Sequence, residues 1–193
     1  MPADTVSSSL DAVSCPTART CIAVGNRTLP SLMQASWAER WNGSSWRLLP
    51  APDPAGVVSA LSCATARACT AVGNSSATGV TLASAERWNG RAWTVQETPN
   101  LSTTFDELVG VSCPGTRSCI AVGAGNVDFG VAVFAERWNG RGWVLQRLPQ
   151  PGAQMELLQG VACVTADTCL AAGWERPASQ SSGTFTFAER YSG

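Results

Sequence analysis

The sequence predicts an all-β fold, namely a β-propeller of four roughly 50-residue, four-stranded antiparallel blades whose last blade lacks its outer strand. Two repeated motifs support this. A C-x5-C motif occurs four times, with its first cysteines 48, 50 and 50 residues apart (63−15, 113−63, 163−113). The motif Ala-Glu-Arg-Trp-Asn-Gly-x-x-Trp follows at 38–46, 85–93 and 135–143, and a shortened copy lies at 188–193. A fixed period of this length is typical of repeat architectures.

Each C-x5-C motif predicts a β-hairpin. In repeat 1, the short segments 10–15 and 21–25 are rich in β-branched residues and flank a five-residue turn. If Cys15 faces Cys21, then Val13 faces Ala23 across the antiparallel ladder. We therefore expect one disulfide in each repeat, with the pairs Cys15–Cys21, Cys63–Cys69, Cys113–Cys119 and Cys163–Cys169. Zinc is the alternative for these cysteines, but its usual ligand spacing is closer, and we expect no metal site.

The third and fourth strands are joined by the Asn-Gly turn, which favours a tight hairpin. Tryptophans flank this turn in the first three repeats. We interpret them as structural, although exposed rings that stack on sugars are the alternative: Trp41, Trp46, Trp88, Trp93, Trp138 and Trp143. The preceding Glu-Arg pairs are also interpreted as structural, each reaching a neighbouring blade or a loop backbone.

Small residues recur in the first strand of each repeat, at Ala12, Ala60, Gly110 and Gly160. The first strand of a propeller blade lines the axis, where space is least, so small residues fit this position.

Composition excludes several classes of function. The chain has a net charge of −1 and only 14% charged residues, so we expect neither nucleic-acid binding nor membrane insertion. It has no histidine, and all 13 of its basic residues are arginine, which removes the commonest general bases. We therefore predict that the chain is not an enzyme and has no catalytic residue and no cofactor.

Paired cysteines indicate an oxidising compartment, and we expect a secreted or cell-surface protein. The first residues carry no signal peptide. We reconcile the two by expecting a piece of a longer secreted protein or a chain written without its leader.

We expect a single domain over 1–193, with blades at about 10–50, 58–99, 108–149 and 157–193. The sequence stops in the turn after the third strand of the fourth blade. Three interpretations remain open: a cut from a longer array, which we favour; self-association of two chains that completes one larger ring; or a four-bladed ring with one incomplete blade.

The order of hydrophobic strand, glycine, aromatic residue and tryptophan resembles the kelch blade. It departs from kelch in having Val24-Gly25 in place of a double glycine. The Asn-Gly-x-x-Trp turn is similar to the Asp-box of sialidase-type propellers, with Asn42, Asn89 and Asn139 near the position of its Asp. The added C-x5-C hairpin resembles repeat proteins secreted by actinobacteria. The resemblance implies a blade but not an activity.

The loops that join second to third strands, and fourth to first strands, differ most between repeats, and we expect function there. Our main hypothesis is a non-catalytic binding or scaffold module that recognises a glycan or a protein through such loops. The candidate ligand-binding residues are Trp174, Glu175, Arg176, Asp128, Phe129, Asn26 and Asn74. A ring of turn arginines, Arg19, Arg67 and Arg117, is a weaker candidate for binding an anion.

The alternative hypothesis is a glycosidase- or sialidase-like propeller enzyme that uses loop carboxylates. Such an enzyme needs two carboxylates about 5 to 10 Å apart in one pocket. The non-repeated acids that qualify are Asp106, Glu107, Asp128, Glu156 and Glu175. The sequence does not identify a pair among them.

Overall fold

The computed structural model describes residues 4–51, 56–77, 79–127, 130–148, 153–177 and 183–192, and their regular structure is entirely β-strand. Repeat 1 contains β1 (Ser7–Thr17), β2 (Thr20–Thr28), β3 (Gln34–Trp41) and β4 (Trp46–Leu49). Repeat 2 contains β5 (Gly56–Thr65), β6 (Ala68–Ala77), β7 (Val80–Trp88) and β8 (Trp93–Gln96). Repeat 3 contains β9 (Asp106–Gly115), β10 (Ser118–Val127), β11 (Gly130–Trp138) and β12 (Trp143–Arg147). Repeat 4 contains β13 (Ala153–Thr165), β14 (Thr168–Pro177) and β15 (Phe185–Ser192).

Each repeat is an antiparallel meander in which strands pair in sequence order. Repeats 3 and 4 are joined at their edges by a parallel pairing of Val131 with Met155. The first strand of each repeat contacts the first strand of the next, so the repeats form an open arc. The all-β prediction is therefore confirmed, but the described residues do not close a propeller ring. In this part of the chain, no helix is present that is long and apolar enough to cross a membrane.

The cysteine hairpins have the predicted register. Val13 pairs with Ala23, and Cys63 pairs with Cys69. All four predicted disulfides are present, with Cα–Cα distances of 3.9–4.0 Å. These bonds staple individual repeats and do not link one repeat to another. They are consistent with the oxidising compartment that the paired cysteines predict.

A β-bulge in the first strand explains the glycine that lies four residues after each C-x5-C motif. In repeat 2, the register shifts between Val58 and Ala60. This shift brings the carbonyl oxygen of Val57 to the place where a Cβ of Gly73 would lie. Only glycine fits there. The same overlap would arise at the equivalent glycines of the other repeats, Gly25, Gly123 and Gly173.

The predicted Asn-Gly turn forms, and its asparagine acts through its side chain. Only the glycine has a positive φ, for example 98° at Gly43. The Oδ1 atom of Asn42 accepts hydrogen bonds from the backbone N–H groups of Ser44 and Ser45, at 2.9 and 3.0 Å. The asparagine therefore closes the turn with its side chain, as an Asx-turn does.

Serine hydroxyls tie the first strands of successive repeats together. The Oγ atom of Ser14 accepts a hydrogen bond from the N–H of Cys63 at 3.0 Å. Ser62 and Ser112 make the same 3.0 Å bond to the next repeat, at Cys113 and Cys163. Close approach of these strands also explains the small residues that we placed at the axis. A Cβ on Gly110 would lie only 3.2 Å from the Cα of Gly160.

The core consists of three apolar clusters, one between each pair of successive repeats. Trp88, Trp138 and Trp143 are buried in these clusters. Trp46, in contrast, is 43% exposed. It lies on the face of repeat 1 on which no other described repeat packs, so the tryptophans that we predicted to be structural are not equally buried.

Candidate functional site

Two carboxyl groups lie buried where repeat 3 packs on repeat 2. Glu136 lies two residues after Phe134 in β11, and Asp106 lies two residues before Leu108 in β9. Phe134 and Leu108 both belong to the cluster between repeats 2 and 3. Because alternate strand residues share a face, both carboxyl groups point towards repeat 2.

The environments of these two groups differ. Among the described residues, neither carboxylate oxygen of Glu136 has a hydrogen-bond partner. Burial, and to a lesser extent the negative charge of Asp106, raises the pKa of Glu136 to about 8. Burial also raises the pKa of Asp106, but hydrogen bonds oppose this, including one of 2.8 Å from the N–H of Ser102 to Oδ2. Glu136 is therefore largely protonated at neutral pH.

This buried pair is not accessible to a glycan, because both side chains are completely removed from solvent. Two carboxyl groups can divide acid and base roles only if a substrate reaches both. Glu136 also belongs to the repeated Glu-Arg motif. We therefore interpret the pair as part of the packing between repeats.

The arginines of the Glu-Arg motif reach the neighbouring repeat, as predicted. Arg87 donates a 2.8 Å hydrogen bond from Nη2 to the carbonyl oxygen of Thr116, and its guanidinium lies 4.5 Å from the ring centroid of Trp138. Arg137 forms an ion pair with Asp167 at 3.2 Å and lies 5.8 Å from the ring of Tyr191. These arginines therefore join repeats and do not form a ligand site.

The predicted binding residues of repeat 4 are not in a loop. Trp174, Glu175 and Arg176 lie within β14, which extends to Pro177. Successive strand residues point to opposite faces, so Glu175 lies on the face opposite to Trp174 and Arg176. The three residues consequently cannot form one surface, which corrects the loop interpretation. Glu175 pairs across the ladder with Glu156.

Of the other predicted binding residues, Asn26 and Asn74 lie in the described part of the chain. The amide of Asn26 donates to the carbonyl oxygen of Val58 and accepts from its N–H, both at 2.9 Å, so it joins repeats 1 and 2. Asn74 lies within β6, facing Val57 and Ala83 in the ladder. Asp128 and Phe129 lie outside the described residues.

The turn arginines pack within their own repeats. A Cβ on Gly43 would lie 3.3 Å from the Cβ of Arg19, and Arg67 and Arg117 approach Gly90 and Gly140 in the same way. Their side-chain stems therefore cover the Asn-Gly turns. In repeat 4, Asp167 occupies this position and pairs with Arg137.

An open groove of about 500 Å³ lies on the outer rim between repeats 2 and 3. On one side it is lined by β8 and the segment that follows, including Glu97. On the other side it is lined by the Asn-Gly turn of repeat 3, with Arg141 and the ring pair Trp138 and Trp143, whose centroids are 5.8 Å apart. The groove therefore combines an exposed carboxylate, an exposed guanidinium and apolar ring edges.

A second hollow of about 490 Å³ shares residues 95–98 with this groove. It continues past Ser84 and Asn100 on the repeat 2 side. Glu97 therefore borders both hollows.

Glu97 has no counterpart in the other repeats. The equivalent positions, four residues after the first tryptophan of the outer strand, are Pro50 in repeat 1 and Arg147 in repeat 3. Glu97 was not among the non-repeated acids that we considered from the sequence. The available signal was a carboxylate at a position that differs between repeats 1, 2 and 3.

No protein family and no curated protein matches the chain by sequence. Among solved structures, a polysaccharide lyase described as PL25 ulvan lyase is similar, with a TM-score of 0.53 and 10% identity over 90% of this chain and 49% of that chain. The same lyase with -[GlcA(1-4)Rha3S]- bound gives the same values. The GH74 xyloglucanase from Xanthomonas campestris has a TM-score of 0.51 and 9% identity, over 86% of this chain and 26% of that chain.

This chain thus spans about half the length of the lyase, and at such low identity the likeness shows the fold. The neighbours are propeller-like, glycan-active proteins, and none supports the kelch or Asp-box resemblance in particular. They also contradict the prediction that the chain is not an enzyme, because they are a lyase and a glycoside hydrolase. That prediction failed because carboxylates alone can support glycan chemistry, without histidine or lysine.

Proposed function

We propose that this chain is the propeller-type arc of a secreted, glycan-active enzyme that binds a polysaccharide in the rim groove between repeats 2 and 3. The observation that carries the proposal is the non-repeated Glu97, which lines the same groove as Arg141 and the pair Trp138 and Trp143. Catalytic groups are expected where a repeated scaffold departs from its pattern. The glycan-active neighbours with a similar fold support the substrate class.

The two charged groups suit a glycan that carries uronate sugars. A guanidinium binds a carboxylate through two parallel hydrogen bonds, and Arg141 is exposed in the groove to do so. Neutralising a uronate carboxylate makes the neighbouring C5–H more acidic, and Glu97, in the same groove as Arg141, would accept the C5 proton. The C5–H electron pair forms the C4–C5 double bond, the C4–O bond breaks, and the departing sugar oxygen takes a proton from water. The fold neighbour solved with a GlcA-containing unit supports this choice of substrate.

Hydrolysis with two carboxylates is less favoured by this groove. Of its described lining residues, Glu97 is the carboxylate that is present. The buried Asp106 and Glu136 cannot supply the second group to a bound sugar.

The test is an activity screen on neutral and on uronate-containing polysaccharides, with product followed by reducing ends and by the absorbance of the unsaturated uronate. We expect turnover of the uronate class, loss of turnover but retained binding in Glu97→Gln, and weakened binding in Arg141→Ala. Arg91→Ala is the matched control, because Arg91 holds the same turn position in repeat 2 and does not line this groove. Wild-type behaviour of Glu97→Gln on a substrate that is turned over would overturn the proposal, as would the absence of any turnover or binding.

A further inference from the structure

Successive repeats pack through the same positions each time. We define the forward face of a repeat as the one that packs on the next repeat, and the backward face as the opposite one. Ile22 and Ile120 are buried on forward faces, and Val58, Leu108 and Leu158 are buried on backward faces. The three boundaries therefore bury the same positions, although Thr70 stands in repeat 2 where repeats 1 and 3 have isoleucine.

At the two ends of the arc, the same positions are exposed. Leu170 is the forward-face equivalent of Ile22 and Ile120, and it is 58% exposed. Leu10 and Val13 are the backward-face equivalents of Val58 and Leu61, and they are 47% and 61% exposed. Both end faces therefore keep the apolar residues of an interface without a described partner.

The forward face of repeat 4 also has the shape of an interface. Its exposed surface contains an open hollow of about 770 Å³ lined by small residues such as Gly160, Ala172 and Ala188. Ala12 occupies the equivalent of Gly160 in repeat 1, and it packs in the cluster between repeats 1 and 2. The hollow thus lies where the first strand of a following repeat would pack on repeat 4.

An exposed arginine and a half-buried aromatic ring of the kind that it contacts elsewhere also lie at opposite ends of the described arc. Arg87 and Arg137 extend from forward faces over the aromatic ring of the next repeat, Trp138 or Tyr191. Arg190 is their equivalent in repeat 4 and is exposed, while Trp41, the equivalent ring of repeat 1, is only half-buried. An arginine over an indole face gives a favourable cation–π contact.

We propose that a second copy of this chain covers both end faces, so that two arcs join head to tail and close one ring of eight repeats. The forward face of repeat 4 in one chain docks on the backward face of repeat 1 in the other. A twofold axis then generates the second contact, which closes the assembly. The argument rests on continuity, because the new contact uses the positions that already join repeats 1 to 2, 2 to 3 and 3 to 4.

One difference makes this contact weaker than the internal ones. Ser14, Ser62 and Ser112 each accept a hydrogen bond from the cysteine N–H of the next repeat. Repeat 4 has Ala162 at this position, which has no hydroxyl to offer to Cys15 of the partner. The dimer is therefore reversible and depends on concentration.

The test is sedimentation velocity of the full chain over a wide concentration range. The buffer contains no reducing agent, so that the disulfides stay intact. We expect a concentration-dependent dimer. Leu170→Asp and Val13→Asp should each leave a monomer, because a charge would be buried in the contact. Both residues are exposed in the single chain, so folding is retained and circular dichroism checks it. Val144→Asp is the matched control, because Val144 is also an exposed apolar residue but lies on the outer strand of repeat 3.

A further variant is designed to strengthen the dimer, whereas the aspartate variants are designed to disrupt it. Ala162→Ser restores the missing hydroxyl at both contacts of the ring, so the dissociation constant of the dimer should fall about tenfold. A monomer at all concentrations that Ala162→Ser does not change would overturn the proposal and point to a different occupant of the end faces. Filaments or larger oligomers in place of a dimer would overturn the closed ring.

Discussion

The boundary between repeats 1 and 2 and the boundary between repeats 2 and 3 are built on the same plan. At each one a serine hydroxyl accepts a 3.0 Å hydrogen bond from a cysteine N–H of the next repeat: Ser14 accepts from Cys63, and Ser62 accepts from Cys113. At each one a buried tryptophan and small apolar residues fill the space between sheets. The shared contacts therefore explain the fold but not the function.

The two boundaries differ where the sequence departs from its repeat. Between repeats 1 and 2, the amide of Asn26 bonds both backbone groups of Val58, and the rim carries Pro50. Between repeats 2 and 3, the buried face holds Asp106, where repeat 2 has Gly56, and the rim groove holds Glu97. In a chain made of copies, we expect function at such exceptions.

The largest expected effect is on the apolar packing between repeats 2 and 3. Phe134 is fully buried between repeats 2 and 3, and Ser84 holds the equivalent position between repeats 1 and 2. We expect Phe134→Ala to lower the free energy of unfolding by about 3 to 5 kcal/mol, because it leaves a cavity. Ser84→Ala should change it far less. Urea-induced unfolding with intact disulfides measures both, and equal losses would show that the two boundaries are packed alike.

The second effect concerns pH. The pKa of Glu136 is raised from 4.5 to about 8 in the folded chain. The folded state thus binds more protons than the unfolded state, so the stabilising contribution is complete below pH 4.5 and is lost as pH rises towards 8. The expected slope is about 1.4 kcal/mol of unfolding free energy per pH unit in this window.

Glu136→Gln should remove this slope, because the amide stays neutral across the window. Glu39→Gln is the control at the equivalent position of repeat 1, and it should keep the wild-type profile. Thermal or urea unfolding at several pH values gives the profiles. An unchanged slope in Glu136→Gln would mean that another group governs the pH dependence.

A third prediction concerns what the boundaries share. Ser14→Ala and Ser62→Ala each leave a cysteine N–H without its acceptor, so each should cost about 1 to 2 kcal/mol of unfolding free energy. We expect the two losses to be similar. Chemical denaturation of the two variants measures this, and a loss at only one boundary would contradict the shared plan.

The smallest expected effect on stability is that of the Glu97→Gln substitution in the rim groove. Glu97 is exposed and makes no hydrogen bond that the described structure records, so Glu97→Gln should change the unfolding free energy by less than about 0.5 kcal/mol. A loss of activity in this variant then reflects chemistry and not misfolding. A destabilisation as large as that of the serine variants would assign Glu97 a structural role.

Local features of the fold were predictable because they depend on short-range chemistry. The C-x5-C spacing determines the register of Val13 with Ala23, and the Asn-Gly dipeptide determines the position of a hairpin turn. The bulge beside Gly73 was not predictable, because it arises from the path of a different strand. β14 also runs further than its composition suggests, which places Trp174 in a strand.

The candidate site was harder to predict, because its residues come from two repeats. Glu97 follows an outer strand and Arg141 lies in the next turn, and only the packing of repeat 3 on repeat 2 brings them into one groove. Nor does the sequence distinguish the fully buried Glu136 from the half-buried Glu39, since both stand in the same motif. The difference arises from which repeats have a neighbour on their backward face.

The most direct test of the central claim uses the indole N–H resonances of the eight tryptophans, six of which occupy repeated positions and serve as internal controls. A uronate-containing oligosaccharide is titrated into the protein, and the shifts are followed by NMR. Binding in the rim groove predicts shifts at Trp138 and Trp143, none at Trp88 and Trp46, and loss of the shifts in Arg141→Ala. Shifts confined to Trp174 or Trp46 would contradict the account and place glycan binding outside the groove.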